Sequence, residues 1–174
     1  MRRSSKQSAS LLSILQNSPN RKDVPFQNIT AIDLVFNEDV TVSGSPFSII
    51  GKVLGNYTVS APTYLPGHTV EWRLFSALGG VNGIDKLNLN LLANGVRGKR
   101  NGKLLGGNYV LNFNVLVGDA NGDGVVDLQD QLLVMRSLTI KYSGINFCDI
   151  DGDGSVSMLD FNIVLLHNGR RLPP

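Results

Sequence analysis

Hydrophobic and polar positions alternate with period 2 through most of the chain between Phe26 and Val117. "TAIDLVF" alternates through Ile32, Leu34 and Phe36, and "TVEWRLF" through Val70, Trp72 and Leu74. "KLNLNL" does so through Leu87, Leu89 and Leu91, and "YVLNFNVLV" through Leu111, Phe113, Val115 and Val117. Successive side chains of a strand point to opposite faces, so each segment predicts a strand with one buried face. Weaker strands are expected near "FSII" and "YTVS". Gly-Gly at 79, Asn-Gly at 82, 94 and 101, and Gly-Gly-Asn at 106 supply turn chemistry between them. Six or seven strands over residues 26–117 fit an antiparallel, all-β sandwich.

After Val117 the period changes. "LQDQLLVMRSL" carries Leu128, Leu132, Met135 and Leu138, and "MLDFNIVLLHN" carries Leu159, Ile163 and Leu166, at helical spacing. Each predicted helix follows an acidic, glycine-bearing segment, "DANGDGVVDLQD" (119–130) and "DIDGDGSVSMLD" (149–160), offset by 30 residues. A calcium loop of the EF-hand kind needs oxygen ligands at positions 1, 3, 5, 7, 9 and 12, with glycine at 6. Asp119, Asn121, Asp123, Asp127 and Asp130 supply side-chain oxygens at that spacing, with the Val125 carbonyl at position 7. Asp149, Asp151, Asp153, Ser157 and Asp160 do so in the second segment, with the Ser155 carbonyl at position 7. Gly124 and Gly154 occupy position 6. Position 12 is Asp in both loops, where the usual EF-hand has the longer Glu. Asp127 with Asp130 and Ser157 with Asp160 have the spacing of a capping box, and Gly169 is placed to cap the second helix.

An EF-hand also needs a helix entering each loop, and neither "NYVLNFNVLVG" nor "KYSGINFC" reads as one. Two loop-plus-exiting-helix units resemble the type I dockerin domain, the module that binds cohesin domains, over residues 118–170. The resemblance implies two calcium ions held by the oxygens named above. It also implies a protein partner, a cohesin-like domain or another surface module, and an extracellular or cell-surface setting. In dockerins, positions 10 and 11 help to choose the cohesin and are often Ser or Thr. Here they are Leu128 and Gln129, then Met158 and Leu159. Leu128 and Met158 either pack inside the module or contribute to binding. The preceding strands resemble an Ig-like domain of bacterial surface or secreted proteins. The domains expected are a flexible basic tail (1–25), an Ig-like β-sandwich (26–117) and a dockerin-like calcium module (118–174).

Charge divides along the same boundary. Residues 1–118 hold 12 Lys and Arg against 6 Asp and Glu, a balance of +6, whereas residues 119–174 hold 4 against 8, a balance of −4. Two calcium ions would neutralise the second segment, so its acidity reads as ligand. Cys148 is the single cysteine, which excludes an intramolecular disulfide and suits a small buried residue beside the second loop. There is no apolar run of 18 residues to span a membrane. The apolar stretch "LLSIL" after the basic start is shorter than the core of a secretory signal.

Catalytic patterns are absent from the sequence. His68 and His167 sit in no HExxH spacing, and there is no G-x-S-x-G or G-x-x-x-x-G-K-[ST]. Asp33, Glu38 and Asp39 read as surface charge. "RGKR" (97–100), without interleaved aromatics, reads as a solvated hairpin and not a nucleic-acid patch. Asp85 lies outside both loops and reads as a neutral control position. The sequence therefore predicts a non-catalytic, calcium-binding interaction module, with the non-catalytic end of a secreted polysaccharide-degrading hydrolase as the alternative. Val117 runs into Gly118 and Asp119 without a flexible spacer, so the first loop should be held against the end of the sandwich.

Overall fold

The computed structural model describes residues 22–138, 140 and 146–174. Its first part is a sandwich of two sheets. The larger has the order β1-β10-β8-β4-β5, built from Asp23–Val24, Tyr109–Leu116, Ile84–Leu91, Phe47–Gly51 and Gly55–Tyr57. The smaller has the order β2-β7-β6, from Ala31–Val35, Thr69–Arg73 and Thr63–Leu65. Strands β3 (Val40–Val42) and β9 (Val96–Gly98) pair as a separate ribbon. In the lettering of Ig-like sandwiches, β2, β7 and β6 stand as B, E and D, and β10, β8, β4 and β5 as G, F, C and C′. The fold is an Ig-like β-sandwich followed by a small helical module.

Alternation decides which face is buried. Leu87, Leu89 and Leu91 of β8 and Phe113 and Val115 of β10 point into the core, and Ile32, Leu34, Val70 and Trp72 meet them from the other sheet. Phe47 of β4 stacks on Trp72 of β7 with ring centroids 4.4 Å apart, joining the two sheets. The four strongly alternating segments are all strands. The strands beyond the six or seven expected are short: β1, β3, β6 and β9 have two or three residues each, and all of β6 is exposed. Segments that short carry no alternation to read.

The sandwich begins before the expected boundary. Asp23 and Val24, assigned to the tail by sequence, pair in parallel with Asn114 and Val115 of β10, and Val24 is fully buried. Two residues give no periodic signal, while burial of Val24 and the ladder to β10 fix them in place. The rest of the predicted tail, residues 1–21, lies outside the described residues.

Helices α1 (Leu128–Ser137) and α2 (Met158–His167) form the second part and pack on each other. Their buried faces hold Val134 and Ser137 on α1 and Ile163 and Val164 on α2. Leu128, Leu132, Met135, Leu159 and Leu166, which gave the helical pattern, are exposed. The module is seated directly on the sandwich. Gly118 N donates to Pro25 O at 3.0 Å and Gln27 N to Ile150 O at 2.9 Å, and the N–H of Val117, the last residue of the sandwich, donates to Gly83 O at 2.8 Å. Phe26 stacks on Phe147 at 5.9 Å. The buried side chains of both parts form one continuous cluster, from Val24 and Val117 to Val126, Ile150 and Val164.

Candidate metal centre

Each acidic loop folds around its first carboxylate. Asp119, fully buried, accepts N–H bonds at Oδ1 from Gly122 (2.7 Å) and Asp123 (3.2 Å) and at Oδ2 from Gly124 (3.1 Å). Asp149 repeats the pattern with Asp153 N (3.1 Å) on Oδ1 and Gly154 N (2.9 Å) on Oδ2. Such wrapping needs a left-handed residue at position 6, and Gly124 and Gly154 adopt φ of 87° and 95°. Asn121 and Asp151 extend the wrap one step. Asn121 Oδ1 accepts from Asp123 N (2.9 Å) and Asp151 Oδ1 from Asp153 N (3.1 Å).

The last position closes each loop and starts its helix. Asp130 is fully buried and accepts Asn121 N at Oδ1 (3.0 Å) and Asp127 N at Oδ2 (2.8 Å). Asp160 does the same with Asp151 N (3.1 Å) and Ser157 N (2.8 Å). Asp127 and Ser157 are the N-caps of α1 and α2, accepting Gln129 N (2.7 Å) and Leu159 N (3.1 Å), and both capping boxes are complete with Asp in the third position. A carboxylate at a helix N-terminus also complements the helix dipole.

These oxygens crowd together. In the second loop, ligand atoms of Asp149, Asp151 and Asp153 lie within 4.8 Å of one another. Burial pushes the carboxyl groups of Asp149 and Asp151 above the ordinary range, and neighbouring carboxylates add to the rise against opposing backbone donors. Burial raises Asp130 likewise, against the N–H groups of Asp127 and Asn121, with the charges of Asp123 and Asp127 contributing. Clustered carboxylates whose proton affinity is raised by one another's charge make a site that favours a hard cation, and an all-oxygen set suits calcium. The donor set therefore fits the ion that the loop spacing implies.

The family model of the dockerin type I domain matches residues 117–165. That segment is a type I dockerin domain. Dockerin domains are non-catalytic, calcium-binding modules for protein–protein interaction, and the proteins that carry them are typically extracellular or on the cell surface. No curated protein matches the chain.

The C-terminal segment after the matched region braces the first dockerin loop, which sequence reasoning missed. Gly169 N donates to Val126 O (2.7 Å), Val126 N to Arg170 O (2.9 Å) and Leu172 N to Gly124 O (3.3 Å), a short antiparallel pairing centred on Val125 and Arg171. Gly169, read as a cap for α2, has φ of 83° and turns the chain back toward Val126. The guanidinium of Arg170 donates to Asn82 O of the sandwich, and the ammonium of Lys52 to Pro174 O.

Other expectations are also resolved. Cys148 is buried beside the second loop, its Sγ 3.3 Å from Ser137 Oγ. Asp39 pairs with His68 at 2.7 Å on the surface, and Glu38 accepts from Arg100 N and Asn101 Nδ2. His167, whose proton affinity is lowered by burial, donates from Nδ1 to Ile163 O (2.8 Å). Asp85 is not a neutral control. It is fully buried, accepts from Val53 N (2.8 Å), Leu54 N (3.3 Å) and Tyr57 Oη (2.8 Å), and holds the β4–β5 turn. Asp85 shares the inward phase of Leu87 and Leu89, a sign of burial in the sequence, but the donors that satisfy it come from a turn distant in sequence. Among the described residues no helix is long and apolar enough to cross a membrane.

Proposed function

We propose that this chain is a non-catalytic anchoring unit in which two calcium ions order the dockerin module and the sandwich holds it in a fixed orientation toward a protein partner. The repeated loop geometry carries the reading: in both loops the first and last carboxylates are buried or half-buried and gathered by backbone N–H groups around the same positions. The ligands of the first ion are the side chains of Asp119, Asn121, Asp123, Asp127 and Asp130 with the Val125 carbonyl. Those of the second are Asp149, Asp151, Asp153, Ser157 and Asp160 with the Ser155 carbonyl. Calcium supplies the positive charge that lets these carboxylates share a small volume, so it acts as a structural clamp in an extracellular or cell-surface setting.

The partner-binding surface is the exposed apolar side of the two helices. Leu128 is 63% and Met158 56% exposed, and the neighbouring Leu132, Met135 and Leu159 are exposed as well. Their exposure favours the binding role over packing inside the module. A cohesin-like domain with an apolar contact surface suits these positions better than one that needs hydroxyl groups. The rigid seat on the sandwich presents that surface preformed and reduces the ordering cost of association.

Calorimetric titration of the calcium-stripped chain tests the reading. Two sites are expected, together with a gain of helix signal on filling. A single site, or a helix signal indifferent to EGTA, would refute the two-ion clamp.

A further inference from the structure

The outer face of the larger sheet carries an unusual choice of residues. On β8, Asn88 and Asn90 alternate with the buried Leu87, Leu89 and Leu91, and on β10, Asn112 and Asn114 alternate with the buried Phe113 and Val115. Asparagine is depleted in strands because its side chain competes for backbone hydrogen bonds, yet here four occupy two adjacent central strands. Register brings them together. Asn88 stands opposite Asn112, and on the other side opposite Ile50 of β4, which itself pairs with Asn56 of β5.

The carboxamides are also pre-oriented. Asn88 Nδ2 donates to Asn112 Oδ1 at 2.6 Å, Asn90 Nδ2 donates to Asn88 Oδ1, and Asn114 Nδ2 to Asp23 Oδ1. Each carboxamide has two N–H donors and two acceptor lone pairs, so the ladder uses only part of its capacity. Asn112 is exposed and Asn88, Asn90 and Asn114 are half-buried, so part of that capacity is open to solvent on a hydrogen-bonded frame. Charge on this face is confined to one end, where Lys86 and Asp23 flank Asn114 and Lys52 follows Lys86 in the same row.

We propose that this amide face binds an uncharged polysaccharide strand. The chemistry selects the ligand class. A sugar hydroxyl both donates and accepts, as does a carboxamide, and the exposed aliphatic side chains of Ile50 and Val110 are suited to the C–H faces of a sugar ring. Protein interfaces are anchored by Trp, Tyr and Arg, and the described outward positions of this face have none of them. Nucleic acids need rows of Lys and Arg for phosphate, and the two lysines at one end, Lys86 and Lys52 beside it, do not make such a row. The ligand site is independent of the calcium loops and of the helix surface described above.

Affinity gel electrophoresis of the full chain in calcium tests the proposal, with xyloglucan, mixed-linkage β-glucan, galactomannan or arabinoxylan in the gel and polygalacturonate as the charged comparison. At least one neutral polysaccharide should retard the parent. The Asn88→Ser/Asn112→Ser pair should weaken that retardation about tenfold, the loss of one to two hydrogen bonds per ligand, while Asn101→Ser outside the face changes nothing. Melting and calcium titration of each variant check that it is folded; if the pair melts early, Asn90→Asp, which replaces one donor with a charge, takes its place and should show the same loss. Retardation by polygalacturonate alone, by no neutral polysaccharide, or equally for parent and folded variants would overturn the proposal. So would retardation abolished by Leu128→Asp/Met158→Asp, which would place the ligand on the helices instead.

Discussion

At the scale of single residues, the closing aspartates do two jobs at once. Asp130 joins position 3 of its loop to the helix N-cap by two charge-assisted hydrogen bonds, and each such bond contributes about 1.5–3 kcal/mol. Asp130→Ala should therefore remove the first calcium site and destabilise the metal-free module by about 3 kcal/mol, whereas Asp39→Ala, on the exposed surface, should leave calcium titration unchanged. Asp85→Ala should lower the melting temperature sharply by stranding Tyr57 Oη and Val53 N, so it reports on the sandwich and not on ligation. Equal calcium affinity in Asp130→Ala and Asp39→Ala would exclude Asp130 as a ligand. Acidity gives a second handle. In the metal-free protein Asp130, Asp149 and Asp151 hold protons more tightly than in an unfolded chain. Stability from these groups is present below their unfolded values and is lost as pH rises through their raised folded values, so in EGTA the module gains stability as pH falls from 7 toward the ordinary carboxylate range. With calcium bound the sign reverses, because protons compete with the ion. Melting curves at pH 7 and pH 5, with and without EGTA, should move in opposite directions; parallel shifts would sink the argument.

At the scale of elements, the two helices show what periodicity can and cannot say. A helical repeat of Leu and Met predicts a helix with an apolar side, but not whether that side meets the core. Here Val134, Ile163 and Val164 fill the core, while Leu128, Met135 and Leu166 face water, the last 78% exposed. The same limit hid β3, β6 and β9, which have three residues each: β3 and β9 pair across a long stretch of sequence, and β6 is the short arm of a hairpin with β7. The dockerin module was legible because the spacing of its motifs is local. The buried role of Asp85 was not, because its donors come from a turn about 30 residues away. The helix assignment makes a separable prediction. Val164→Ala should cost about 2 kcal/mol of stability by leaving a cavity, while Leu128→Asp/Met158→Asp should leave melting nearly unchanged and abolish calcium-dependent capture of a cohesin-like partner. If the surface pair unfolds the module and Val164→Ala does not, the two faces are reversed.

At the scale of the whole molecule, the junction decides whether calcium acts on the module alone or on everything. No flexible spacer intervenes between β10 and Asp119, and two backbone hydrogen bonds, the Phe26–Phe147 stack and the Arg170 and Lys52 contacts bind the two parts together. A module of about 50 residues has little core of its own, so most of its stability must come from metal and from this shared surface. The brace of residues 169–172 on the first loop adds a route by which loop order reaches the sandwich through Asn82. Trp72, the single tryptophan, is buried in the sandwich and reports on its unfolding by fluorescence. With calcium about 100-fold above its dissociation constant, each filled site adds about 2.7 kcal/mol to whatever unit unfolds with it. If the two parts unfold together, calcium should move the Trp72 urea midpoint and the helix signal by the same amount, and truncation after Asn168 should shrink both shifts. A Trp72 midpoint indifferent to calcium, beside a helix signal that responds, would mean that the sandwich folds independently and that the junction does not transmit the clamp.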